Sequence, residues 1–130
     1  MNQVDFLMEN YYAKAPKDII PTPDQLVIAL NEHPDKVVTL LIGGKIVGMA
    51  VFLKLTDKTY AHLEDYDLRN LATLKELVKQ NGRNVHFVMV AGKHFNHIRL
   101  GIKTVIKEIK PKTVSWWSPD FSRLHKYEVR

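Results

Sequence analysis

Residues 85–117 read VHFVMVAGKHFNHIRLGIKTVIKEIKPKTVSWW, and the order of patterns in this stretch decides the fold. Val85–Val90 is an apolar run of strand length. Ile98, Ile102, Val105, Ile106 and Ile109 then recur at helical spacing. Pro111 stops that helix, and Lys112–Trp117 is again a strand. A helix between two apolar strands lays its apolar face on the sheet as a right-handed parallel crossover. The turn between the first strand and the helix then points backbone N–H groups outward, where an anion can bind.

Working outward, Leu68, Leu71, Ala72, Leu74, Leu77 and Val78 carry helical spacing, and Asn81-Gly82 makes a C-terminal stop. Before them, Lys36–Ile42 and Lys45–Leu55 are strands joined by Gly43-Gly44, a two-residue hairpin turn. Gly48 inside the second strand marks a bulge or a close backbone approach. Thr56–Tyr66 is polar and ambiguous, with Thr59–Leu63 readable as a strand extension. Nearer the N-terminus, Val4, Leu7, Met8 and Tyr11 form a helical stripe broken by Pro16 and by Pro21-Thr22-Pro23. Thr22 as N-cap, Pro23 at the first position and Gln25 in a capping box open a second helix to about Asn31. It turns Leu26, Ala29 and Leu30 inward, and His33-Pro34-Asp35 ends it. The tail SPDFSRLHKYEVR has two readings: a turn at Ser118-Pro119-Asp120 with a strand over Arg123–Val129, which is favoured, or a short helix opened by Pro119.

At 130 residues the chain is expected to form one domain over residues 1–130. No apolar run approaches the roughly 20 residues of a membrane span, and MNQVDFLMEN lacks the basic-then-apolar order of a signal peptide. With no Cys, disulfide and thiolate chemistry are excluded, and a reducing compartment such as the cytoplasm is the expected location. A net charge of +5 suits an anionic partner, and equally a plain solvated surface.

The element order resembles the GCN5-related N-acetyltransferase (GNAT) family. VTLLIGGKIVGMAVF is similar to that family's second and third strands, and VHFVMVAG with the following helix is similar to its fourth strand and cofactor helix. An inserted helix before that fourth strand also resembles acetyltransferase-like proteins of tailed bacteriophages. The resemblance implies a single α/β domain with a mixed, mostly antiparallel sheet flanked by helices and one parallel strand–helix–strand crossover over 85–117. It implies that acetyl-CoA is the co-substrate and an amine, on a small molecule or a protein, the acceptor. Backbone of Phe87, Val88, Met89 and Val90 would hold the pantetheine arm, and Lys93, His94, Phe95, Asn96 (as N-cap) and His97 would meet the diphosphate. The family's loop pattern, Arg/Gln-x-x-Gly-x-Gly/Ala, is here Ala91-Gly92-Lys93-His94-Phe95-Asn96-His97, with one Gly and bulky residues beside it. The family also places an Asn after its fifth strand and a general-acid Tyr seven residues on; Asp120 and Tyr127 stand at that spacing. The Gly-Phe and the last two strands that follow in the family have no counterpart in this sequence, and a strand in the tail would remove the Tyr127 role.

Acyl transfer to an amine requires a base, an oxyanion donor and an acid for the leaving thiolate. Glu64 is the candidate base, in the cluster His62-Leu63-Glu64-Asp65-Tyr66-Asp67; a solvated loop ahead of a helix explains the same cluster. His94 and His97 share a helical face, but no Cys and no nearby carboxylate completes a metal site, so none is expected. Arg99, Lys103, Lys107 and Lys110 form a basic stripe, readable as a phosphate or nucleic-acid surface or as an ordinary solvated face. Trp116-Trp117 puts one indole on each side of the sheet, one of them in the core. Three readings follow: an acetyl-CoA-dependent N-acyltransferase; a non-catalytic GNAT-like phage virion or accessory protein, in host cytoplasm or virion, acting through virion partners or a second copy of itself; and a basic nucleic-acid-binding domain.

Overall fold

The computed structural model describes residues 2–12, 23–118 and 121–129. Five strands form one sheet in the order β1-β2-β3-β4-β5: β1 Val37–Ile42, β2 Lys45–Leu55, β3 Asn84–Gly92, β4 Thr113–Trp117 and β5 Leu124–Glu128. All neighbours are antiparallel except β3 and β4, which run parallel as the 85–117 pattern requires. Between them lies α5, Phe95–Ile109, closed by Lys110 in the left-handed conformation ahead of Pro111. The tail is a strand, not a helix, and β5 pairs along β4 from Trp117↔Leu124 to Thr113↔Glu128.

Two layers cover the sheet. On one face, Ala50, Phe52, Val85, Phe87 and Val114 pack with Val105 of α5, and Ile102, Ile106 and Ile109 close over them. The other face carries α1 (Gln3–Leu7), α2 (Pro23–Glu32), α3 (Asp57–Ala61) and α4 (Leu71–Leu77). There Leu26, Ala29 and Leu30 are buried as the spacing predicts, and Ile28 and Gln25 join them. Thr22 and the breaks at Pro16 and Pro21, like Pro119 and Asp120 in the tail turn, lie outside the described residues.

Gly43 and Gly44 both take positive φ, the conformation a primed hairpin turn demands. A register shift next to Gly48 (Leu40↔Gly48, then Leu41↔Ile46) is the irregularity expected of it.

Two local expectations are corrected. Thr59–Leu63 does not extend a strand. The Thr56 side chain accepts from Thr59 N–H and caps α3, and a 3-10 turn Leu63–Asp65 follows, so local capping overrides the strand pattern. The first helix changes to π winding at Met8–Tyr12. Phe6 and Leu7 of the α-helical turn and Tyr11 of the wider turn face the core, while Met8 faces solvent.

A close contact sets the start of β3. Gly82 donates to Lys54 O at 2.8 Å. A Cβ on Gly82 would lie 2.0 Å from Leu55 O and 2.5 Å from Thr56 N, backbone atoms that cannot step aside. Gly82→Ala is therefore expected to lower the unfolding free energy by about 2–4 kcal/mol. Urea denaturation checks this, and an unchanged midpoint would contradict the close approach.

Candidate functional site

The parallel pairing of β3 and β4 covers only Asn84↔Thr113, Val85↔Val114, His86↔Ser115 and Phe87↔Trp116. β3 continues to Gly92 along β2, so among the described residues Val88–Gly92 has no partner on the β4 side. The two strands part after Phe87, leaving a wedge whose floor is one edge of β3.

The register places a bulge here: Val51 faces Met89, but Phe52 faces Phe87, which leaves Val88 as the extra residue. A bulge bends its strand and raises the local twist. Beyond it, Lys93 N–H donates to Val47 O at 3.0 Å. By antiparallel alternation, Met89 and Ala91 then bond to β2, while the N–H and C=O of Val90 and Gly92 point to the open edge.

Side-chain hydrogen bonds pin the closed end of the wedge. Thr113 Oγ1 donates to Asn84 Oδ1 at 2.8 Å. Asn84 Nδ2 donates to Leu55 O at 3.1 Å and to Asp57 Oδ1 at 2.8 Å. Lys112 Nζ lies 3.3 Å from the same carboxylate, and the Asn84 hydrogen bond and Lys112 hold Asp57 below the usual carboxylate range. Next along the face, His86 Nδ1 and Ser115 Oγ share a hydrogen bond of 2.9 Å, both residues buried. Burial, and secondarily Lys126, push the His86 pKa down to about 3, so the imidazole is neutral in the folded chain.

At the open end, β3 leads into α5 through Lys93 and His94. The N-cap is His94, not Asn96, and it makes no side-chain cap bond. Asn96 sits in the first turn, exposed. A Cβ on Gly92 would lie 2.9 Å from Ile98 N and 3.1 Å from His94 O, so the only Gly of the turn is there because the helix start folds back onto it. His97 N–H already donates to His94 O at 3.0 Å, so the N–H groups of Phe95 and Asn96 are the ones that helix geometry leaves without an intrahelical acceptor. Lys93, His94 and Phe95 are exposed, Phe95 to 70%. His97 tilts against His94 at 5.3 Å, and its buried Nδ1 has no hydrogen-bond partner among the described residues. No group of three or more potential metal ligands occurs among the described residues.

The proposed proton-handling residues are not brought together. Glu64 stands on the 3-10 turn over β5, its carboxylate 69% exposed and 4.0 Å from Lys126 Nζ. Tyr127 is a strand residue paired with Val114, beside the closed part of the ladder, with its ring stacked on Trp116 at 5.2 Å. The general-acid role needed a loop tyrosine after β4, and the hairpin removes that loop; Asp120 lies outside the described residues. Trp116 is the exposed indole, and Trp117, half-buried on the opposite face as alternation requires, packs against the core cluster of that face. The basic stripe Arg99, Lys103, Lys107 and Lys110 is exposed along α5.

A phenol with no role assigned from the sequence packs on the α1–α2 face of the sheet. Tyr11, like Val88, packs against the cluster that holds Met89 and Ala91, and burial raises its pKa. Its only sequence signal was a place in the apolar stripe of the first helix.

No family model and no curated protein sequence matches the chain. Among solved structures it is similar to the GphF GNAT-like decarboxylase in complex with isobutyryl-CoA, with a TM-score of 0.66 and 16% identity over 87% of this chain and 60% of that one. It is similar also to the loading GNATL domain of CurA from Lyngbya majuscula, with a TM-score of 0.65 and 13% identity over 92% and 64% of the two chains. The chain thus spans less than two thirds of either structure's length. The fold is GNAT-like: a mixed five-stranded sheet, helices on both faces, and one parallel pair with α5 between its strands. The narrower likeness to phage proteins gains nothing from either match. No helix among the described residues is long and apolar enough to cross a membrane.

The His86 environment predicts a pH dependence. Its folded pKa lies below the unfolded value of about 6.5, so between those values the unfolded chain binds more protons. Stability is complete above pH 6.5 and is lost as pH falls toward about 3, at up to about 1.4 kcal/mol per pH unit. Urea midpoints measured from pH 7 to 4.5 should fall for the native chain and flatten for His86→Gln. Parallel curves would contradict a neutral, buried His86.

Proposed function

We propose that this chain binds an acyl-CoA in the wedge between β3 and β4 and transfers the acetyl group of acetyl-CoA to an amine. The observation that carries the reading is the edge of Val88–Gly92, which no described residue pairs, with the N–H and C=O of Val90 and Gly92 turned into the opening. A pantetheine arm carries two amides in extended form and pairs with such an edge as an added strand does. The α5 N-terminus supports a diphosphate beside it: the Phe95 and Asn96 N–H groups that open the helix, the exposed Lys93 and His94, and the His97 Nδ1 that no described residue bonds. The CoA complex of GphF is consistent with an acyl-CoA ligand for this fold.

In the transfer, the amine nitrogen attacks the thioester carbonyl carbon; a C–N bond forms and the C–S bond breaks. The ammonium proton leaves to a base, and the departing thiolate takes up a proton. Glu64 is the proposed base, working through solvent from its exposed position. Tyr11 is the proposed proton donor, because it is a phenol, protonated at neutral pH, that packs against the β3 cluster of Met89 and Ala91. The amine belongs to a small molecule or a protein side chain.

A second reading, a non-catalytic GNAT-like module, is favoured by the pairing of Glu64 with Lys126 and by the bulky turn after Gly92. Contacts in that case would use the exposed Trp116–Tyr127 stack on the edge hairpin or the α5 basic stripe.

Calorimetric titration with acetyl-CoA, followed by amide NMR, tests the reading. Saturable binding with shifts centred on Val88, Val90 and Gly92 is expected; no heat and no shifts at millimolar ligand would overturn it. Thiol release from acetyl-CoA with a panel of amines then separates the enzyme from the binding module.

A further inference from the structure

We infer that Val88 limits the acyl group to acetyl, and this rests on the acyl-CoA reading above. A ligand whose diphosphate sits at the α5 N-terminus runs along Gly92 and Val90, so its thioester arrives at the apex of the wedge. The apex is shut by the Phe87↔Trp116 pair, so the acyl group cannot continue between the strands. On the α5 face its way is filled by Phe87, Phe52 and Val105. On the opposite face it meets the Val88 side chain.

Val88 is placed to act as a wall. It is the bulged residue where β4 departs, half-buried, and it packs against the clusters on the α2 and α4 side. Behind it lies a small, mostly apolar cavity bounded by Leu26, Ala29, Val51, Leu53 and Leu74, with Gln25 also in its wall. Its volume of about 10 Å³ is close to the least that holds one water. A methyl group can rest against the wall, whereas a propyl or isopropyl group needs the space that Val88 occupies. Removing the two Val88 methyl groups would join that cavity to the wedge.

The test compares affinities for CoA, acetyl-CoA, butyryl-CoA and isobutyryl-CoA in the native chain, Val88→Ala and Val88→Ile, each expressed relative to CoA for the same protein. In the native chain, butyryl-CoA and isobutyryl-CoA should bind about 10-fold or more weaker than acetyl-CoA, the discrimination that one or two methylenes produce in a shaped apolar site. Val88→Ala should bring the three within about 3-fold of one another. Val88→Ile, which keeps a β-branched strand residue, should weaken acetyl-CoA relative to CoA, and it carries the test if the alanine variant fails to fold. Equal affinities in the native chain, or ratios that neither variant moves, would overturn the role of Val88 while leaving CoA binding in place. No binding of CoA itself would overturn the acyl-CoA reading, and this inference with it.

Discussion

Two buried side-chain hydrogen bonds determine where the parallel strands hold together. Asn84 with Thr113 and His86 with Ser115 occupy successive rungs on one face of the β3–β4 pair. A buried polar group without a partner costs free energy on the order of 1–3 kcal/mol, so slipping this ladder by one residue would strand all four groups. The register is therefore locked at the closed end. The next rung on that face would set Val88 against Trp117, and Val88 has no polar group to bond the indole N–H. Val88 is instead the bulged residue, and the ladder stops.

The remaining elements follow from that stop. Because β4 turns away into β5, α5 packs over β1, β2 and β3. Its N-terminus is drawn down onto Gly92, at the far end of the unpaired edge. The helix start and the open strand edge thus meet at one place, which is what a ligand with an anionic end and an amide-bearing arm requires. The opposite end of the wedge is tied shut by Asp57, held between Asn84 and Lys112, so the opening has one mouth and one apex.

The sequence made the crossover legible because strand and helix periods alternate cleanly between Val85 and Trp117, with Gly92 and Pro111 as breaks. The Gly43-Gly44 hairpin was equally plain, since few residues other than glycine accept two successive positive φ values. The polar rungs had no such signal: His86 and Ser115 are far apart in the chain, and each alone looks like an unremarkable strand residue. The bulge at Val88 was hidden for a similar reason, because no Gly marks it and only the β2 register exposes it. Local capping misled at the start of α5. Asn96 is a better cap residue than His94, yet the helix starts at His94 because the chain must fold back onto Gly92. Of the candidate site, the strand backbone and the turn were readable, whereas proton handling was not. Tyr127 was placed by a spacing that needed a loop, and Tyr11 reaches the β3 cluster only through tertiary packing.

The direct test of the parted strands is site-resolved amide hydrogen exchange on the unliganded chain. Met89 and Ala91, bonded to β2, should be protected, while Val90 and Gly92, facing an open edge, should exchange at least roughly 100-fold faster. Uniform protection from Asn84 through Gly92 would mean that β4 or another segment pairs with that edge, and the wedge on which this account depends would not exist.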